Sequence, residues 1–304
     1  MNKELKGSLM VIIAGICWGI SGVSGQYLMA NGMDVNLLTS LRLLVSGIFI
    51  TGIAFVTQKE RLLQAIKKKH VIFGIILFSI FGLTMNQYAY LTAIYYTNAG
   101  TATVLQYLTP VLILAYVCLR NKRLPSKTEL LAMIFAILGT FIIATHGQFD
   151  SLAITPKGLF WGLLAAVTYA LYILIPVKLI QEWGSLIIIG LSMLLGVLVF
   201  SIGTRSWQSE IHFSAGIWLA LFGIIGIGTI FAYTVFLKGT TIVGAVKGSL
   251  LASVEPVASV ILALIIMHEV FYPIDFLGMF LIILAVVTIS IKDLLVYKKS
   301  EMKS

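Results

Sequence analysis

One carboxylate stands out as the side chain of this chain best placed to do chemistry. Of twelve acidic residues, only Glu255 lies deep in an apolar run, about twelve residues from either end of the segment 243–267. At the centre of a bilayer such a charge costs roughly 2.5–3.5 kcal/mol. Two tasks suit it: exchanging a proton, or serving as counter-ion to a cationic substrate. The alternative is a structural acid, hydrogen-bonded to a neighbouring helix. Pro256 follows directly. It removes one backbone donor, so it is either a simple kink or a source of free carbonyls lining a cavity.

Few other polar groups lie inside apolar runs. Arg42 sits about 10 Å from the near end of its run, given the helical rise. It can snorkel to the surface, pair with a substrate carboxylate or serve a gate. Lys247 is one turn inside its run and is expected to snorkel. Asn86 and Gln106 are costly against lipid and are expected to face protein or water. Trp18, Tyr90 and Tyr169 lie well away from the run ends and are the aromatic candidates for a cavity wall. Aromatic rings beside one carboxylate would suit an ammonium group through cation–π contact.

The elements that must position these residues follow from composition. Hydrophobic residues make up 59% of the 304 and charged residues 11%, whereas soluble domains average about 45–50% apolar and about 25% charged. A soluble domain, a disordered chain and a disulfide scaffold are excluded, the last because there are two cysteines, Cys17 and Cys118, both in apolar runs. Ten segments have the roughly 20 apolar residues needed to cross the hydrocarbon core: 8–30, 35–57, 71–95, 98–119, 128–146, 157–177, 184–204, 214–237, 243–267 and 274–295. They are continuous rather than alternating, which disfavours a β-barrel. The first is too long for the apolar part of a signal peptide and is expected to remain as a span.

Basic residues orient the spans. Seventeen of the 21 Lys and Arg fall on one side, including Lys67–Lys69, while Lys157 and Arg205 fall on the other. The bias predicts both termini in the cytoplasm of a multi-pass cell-membrane protein. The net charge of +9 is thus a topology signal, and nucleic acid is not an expected partner.

The chain also repeats. Leu131-Ala132-Met133 aligns with Leu277-Gly278-Met279 at an offset of 146, and Ile137-Leu138-Gly139 aligns with Ile283-Leu284-Ala285. The same offset superimposes Thr109-Pro110-Val111 on Glu255-Pro256-Val257. Each half then holds five spans. An odd number places the second half upside down relative to the first, an architecture of secondary transporters. Gly248, Ala252, Glu255 and Ser259 share one helical face. Their first-half counterparts are Ala102, Gln106, Thr109 and Ile113, so the fourth and ninth helices are expected to face one central cavity.

Several motifs carry a family resemblance: Ile16-Cys17-Trp18-Gly19, Leu41-Arg42-Leu43-Leu44, Ala93 to Ala99, Leu108-Thr109-Pro110-Val111, Ala245-Val246-Lys247-Gly248, Val254-Glu255-Pro256-Val257 and His268-Glu269. On these the chain resembles the drug/metabolite transporter superfamily, in its ten-helix group whose halves are each termed an EamA domain. The resemblance covers about Gly7 to Ile291. It implies transport of small metabolites, often export of amino acids or amines, driven by ion or substrate gradients. One departure is that Asn121-Lys122 stands where the family's first half ends its fourth helix with Gly-Glu.

The expected fold is therefore an all-α membrane protein of ten transmembrane helices in two inverted five-helix repeats. The repeats span 5–146 and 155–295, with a cytoplasmic tail at 296–304. The expected function is gradient-driven export of an amino-acid-like or amine metabolite by alternating access. Trp18, Asn86, Tyr90, Gln106, Tyr169 and Glu255 would bind substrate, and Glu255, Pro256 and Arg42 would couple or gate. The alternatives are an importer of a quaternary amine or other nutrient, a flippase for lipid-linked intermediates, and a non-transporting scaffold. No enzyme motif is present: H-E-x-x-H, G-x-S-x-G, the P-loop and C-x-x-C are all missing from the sequence. No catalytic residue, cofactor or metal is expected. The expected partners are a small-molecule substrate and the bilayer, and the GxxxG step Gly15–Gly19 would also permit a homodimer.

Overall fold

A computed structural model describes residues 3–146, 153–209, 211, 213–244, 248 and 251–301. Backbone polar groups in hydrocarbon must be satisfied within the chain, and every extended element among the described residues is helical. In chain order these are α1 (Lys3–Ala30), α2 (Val35–Ala65), α3 (Lys69–Tyr96), α4 (Ala99–Arg120), α5 (Lys127–Thr145), α6 (Pro156–Trp183), α7 (Ser185–Thr204), α8 (Ala215–Val243), α9 (Val254–Ile266) and α10 (Pro273–Glu301). Among the described residues, the first eight are long and apolar enough to cross a membrane. The last two contribute the shorter apolar stretches Val254–Ile266 and Pro273–Thr288. Helix α10 runs on to Glu301, into the segment expected to be a tail. Lys247, Ala245 and Val246 lie outside the described residues, and so does any test of their expected roles.

Helix starts are set by short polar side chains that take up otherwise unpaired amide protons. Asp34 accepts from the amides of Asn36 and Leu37, and Thr155 from that of Gly158, ahead of Pro156 in the first turn. At α5, Ser126 and Glu129 form a reciprocal capping box, and Arg123 adds a two-pronged bond to Glu129 at 2.8 and 2.9 Å. Phe73, Leu119, Ile202 and Phe222 are each more than half exposed. In water so much bare apolar surface would drive association, whereas acyl chains cover it at no cost.

The helices pack in a pattern that repeats itself. Helix α1 runs antiparallel to α8, with Gly7 against Val243, Ser21 against Gly228 and Tyr27 against Gly216. It runs parallel to α9, with Gly15 against Val254 and Gly19 against Ala258. Helix α6 makes the same two contacts with α3 and α4. Its Trp161 and Tyr172 meet Tyr88 and Phe78 in antiparallel order, at 5.4 Å each. Its Gly162 and Ala166 meet Leu105 and Thr109 in parallel order. Exchanging α1 with α6, α3 with α8 and α4 with α9 turns one set into the other.

Helices α4 and α9 cross antiparallel, with Gly100 against Val260, Thr103 against Ser259 and Tyr107 against Glu255. Helices α5 and α10 are also antiparallel. A Cβ on Gly139 would stand 2.6 Å from the Gly278 carbonyl oxygen, and one on Gly278 would stand 2.9 Å from the Gly139 oxygen. At one end of this pair His146 Nε2 lies 3.2 Å from Asp275 Oδ1.

Two irregularities also recur. Helices α3 and α8 each contain a π-helical stretch, Phe78–Thr84 and Phe222–Phe231. Helix α4 breaks at Tyr107 and Leu108, and resumes at Thr109 with Pro110 in its first turn. Helix α9 begins at Val254, after a turn at Ser253, with Pro256 in its first turn. The expected ninth span is therefore interrupted at Ser253, with Gly248, Leu251 and Ala252 helical before the turn, rather than continuous. Glu255 sits in the first turn of a helix rather than the middle of one. Pro256 occupies a position where its missing N–H breaks no helical bond.

The Gly139–Gly278 contact makes a prediction. Replacing Gly139 with Leu should destabilise the purified protein by about 1–3 kcal/mol, the usual range for overpacking. The measurement is the thermal unfolding midpoint in detergent, and an unshifted midpoint would contradict the close approach.

Candidate functional site

The break in α4 turns Tyr107 towards α9. Its hydroxyl lies 2.9 Å from Glu255 Oε2 and 3.0 Å from the Ala252 carbonyl oxygen. A phenol has one proton to donate. When Glu255 is ionised, Tyr107 donates to the carboxylate. When Glu255 is protonated, the carboxyl can donate to the tyrosine oxygen, which then donates to Ala252. The same three groups thus form a bonded chain in either protonation state. Glu255 is half-buried, and its Oε1 makes no hydrogen bond among the described residues.

Arg42 is 8% exposed and does not reach a surface, which removes the snorkelling alternative. Its Nε donates to Thr229 Oγ1 at 3.1 Å, and the Thr229 hydroxyl donates to the Ile224 carbonyl at 2.9 Å within the π-helical stretch of α8. No further hydrogen bond is made by Arg42 among the described residues. Arg42 and Glu255 are within electrostatic reach of each other. They do not form an ion pair among the described residues. Tyr90, Tyr107, Tyr169 and Tyr233 are electrostatically linked to Glu255 as well. Arg42 and Glu255 therefore stand apart, among four phenols.

The remaining sequence candidates divide. Tyr90 bonds to Thr103 at 2.8 Å, and Thr103 meets Ser259 at 3.2 Å, which ties α3, α4 and α9 together beside Glu255. Tyr169 stacks on Tyr172 at 5.8 Å. Trp18 borders the group through Tyr233, at 6.1 Å edge-on, and Phe236 at 5.0 Å. Asn86 and Gln106 are bonded to each other at 3.0 Å and buried, with Thr168 at 3.5 Å. Their amides meet each other across α3 and α4.

Sequence reasoning left out Tyr107 and Thr229 altogether, and did not place Tyr233 in the site. It also left out Gln26. That side chain donates to Glu269 Oε1 and accepts from the Ala99 amide at 2.8 Å, while Asn98 reaches Glu269 Oε2 at 3.4 Å. This network joins α1, the start of α4 and the segment after α9. A separate cavity of about 320 Å³ opens near it, lined by Tyr96, Asn98, His146, Tyr272 and Asp275 among others. Among the described residues no cluster of three His, Cys, Asp or Glu is arranged to hold a metal.

Known proteins share this architecture. A solved crystal structure superimposes with a TM-score of 0.62 at 15% identity, over 93% of this chain and 95% of that one, a likeness of fold. An "Uncharacterized inner membrane transporter YicL" of Salmonella typhimurium (strain LT2) is 34% identical over 292 residues, covering 96% of this chain and 97% of that protein. An "Uncharacterized transporter YetK" of Bacillus subtilis (strain 168) is 28% identical over 291 residues, covering 91% and 84%. The model of the EamA-like transporter family matches twice, over residues 5–145 and 156–291. This chain is a multi-pass membrane protein that belongs to the EamA-like transporter family.

Proposed function

We propose that the protein is a gradient-driven carrier that exports a small amine or amino-acid-like metabolite by alternating access. Glu255 takes up either a proton or the substrate's ammonium group. The observation that carries this reading is the Tyr107–Glu255 pair, 2.9 Å apart at the break of α4 and the start of α9. A hydrogen bond between membrane helices is worth roughly 0.6 kcal/mol on average and about 1.7 at most. Burying a carboxylate costs roughly 2.5–3.5 kcal/mol. Helix adhesion alone does not offset that cost, which favours a working acid over a structural one. Among the described residues Oε1 has no hydrogen-bond partner, which leaves room for a ligand, and the Tyr107 relay accommodates both protonation states.

Alternating access needs two near-equivalent packings. We read the chain as ten spans in two inverted halves, 5–146 and 155–295. Supporting this, the repeat-related pairs α4/α9 and α5/α10 are antiparallel, and α1 and α6 dock in equivalent ways. The basic-residue bias places both termini in the cytoplasm. The sequence has no nucleotide-binding motif, which favours gradients as the energy source. Export is the direction that the family resemblance favours.

Three outcomes test this. Purified protein in liposomes should show saturable counterflow of at least one amine or amino acid. A scaffold would show none, and a flippase would move only lipid-linked groups. Glu255→Gln should abolish the pH dependence of transport while folded protein persists in the membrane; unchanged pH dependence would remove the role given to this acid. A cysteine placed at Lys67 should resist an impermeant thiol reagent added outside intact cells, and labelling there would reverse the topology.

A further inference from the structure

Arg42 presents an unusual combination. It is a charged side chain more than nine-tenths buried, with one nitrogen anchored and no other bond among the described residues. Burying an ion is expensive unless something answers its charge. Glu255 is within electrostatic reach but not paired with it. The anchor is specific. In the π-helical stretch of α8 the Ile224 carbonyl is taken up by the hydroxyl of Thr229, five residues on, and the same hydroxyl accepts the Arg42 Nε proton. Fixing Nε leaves both terminal nitrogens of the planar guanidinium as a fork. That geometry matches the two oxygens of a carboxylate.

We propose that Arg42, seated on Thr229, is a carboxylate-binding subsite opposite Glu255, so that the preferred substrate is a zwitterion with both an ammonium and a carboxylate group. The proposal rests on the reading of Glu255 as the ammonium or proton site and adds the second pole. Arg42 is the binding residue. Thr229 is a positioning residue that acts through Arg42. Tyr90 and Tyr233 are electrostatically linked to Arg42. Separation of the two protein charges leaves each free to meet its opposite on one ligand. A plain amine fills only half of the site and leaves the guanidinium buried without a partner.

The test compares matched ligands on purified full-length protein by thermal shift and by isothermal titration. The standard amino acids are screened first. Each binder is then compared with the amine lacking its carboxylate and the acid lacking its amine. The amino acid should bind about ten- to a hundredfold more tightly than its amine, the worth of a hydrogen-bonded charge. Arg42→Gln and Thr229→Val should each erode that ratio without weakening the amine, and Thr229→Ser should restore it. An amine that binds as tightly as its parent amino acid, with no effect of Arg42→Gln on either, would overturn the carboxylate subsite and leave the Glu255 reading standing. Binding of the acid alone, dependent on Arg42, would support the subsite and overturn the ammonium reading. No binding of any amine, amino acid or acid would overturn both. If the Arg42 variant fails to fold, the wild-type ligand series decides the matter by itself.

Discussion

The structure depends on how one carboxyl group is held where water is scarce. In a medium of low polarisability an ionised group must be answered by dipoles already in place, because solvent cannot rotate to meet it. Tyr107 supplies that answer to Glu255, and the Ala252 carbonyl completes it when the proton count changes. A lone donor would favour one state. A hydroxyl between two acceptors serves both, so protonation can change without a buried group being left unpaired. The surrounding helices fix that hydroxyl in place.

Helix breaks make the arrangement possible. A continuous α4 would point Tyr107 away from the face shared by Ala102, Gln106 and Thr109. The break at Tyr107 and Leu108 swings the ring onto α9. Pro110 and Pro256 stand in the first turns that follow each irregularity, where proline tolerates the helix start and no amide is orphaned. In α8 the irregularity is a π-helical stretch, and one threonine both closes it and seats Arg42. Non-helical backbone at this depth survives only where side chains take up its freed groups.

Much of this was legible in the sequence and some was not. Long uncharged runs revealed the spans, because bilayer thickness imposes a length that chance rarely produces. Glu255 and Arg42 were visible because ionisable residues inside such runs are rare, and the Thr-Pro and Glu-Pro steps marked the repeat. Tyr107 was not visible, since its role needs a helix break that shifts it off the regular 3.6-residue face. Nothing in Ile224 to Thr229 announces a π-helical stretch, which arises from tertiary packing. Asn86 and Gln106 carried a true signal of burial but an ambiguous one. A buried amide satisfied by another amide reads in one dimension like an amide awaiting a ligand.

The cross-docking of α1 on α8 and α9, and of α6 on α3 and α4, has a consequence for biogenesis. Helix α1 leaves the ribosome well before its main partners, α8 and α9, have been made. Until then its small-residue stripe faces lipid or other early helices. Assembly therefore carries a large loop-closure term, and a chain cut short after its first five helices would have inserted segments but no finished interior.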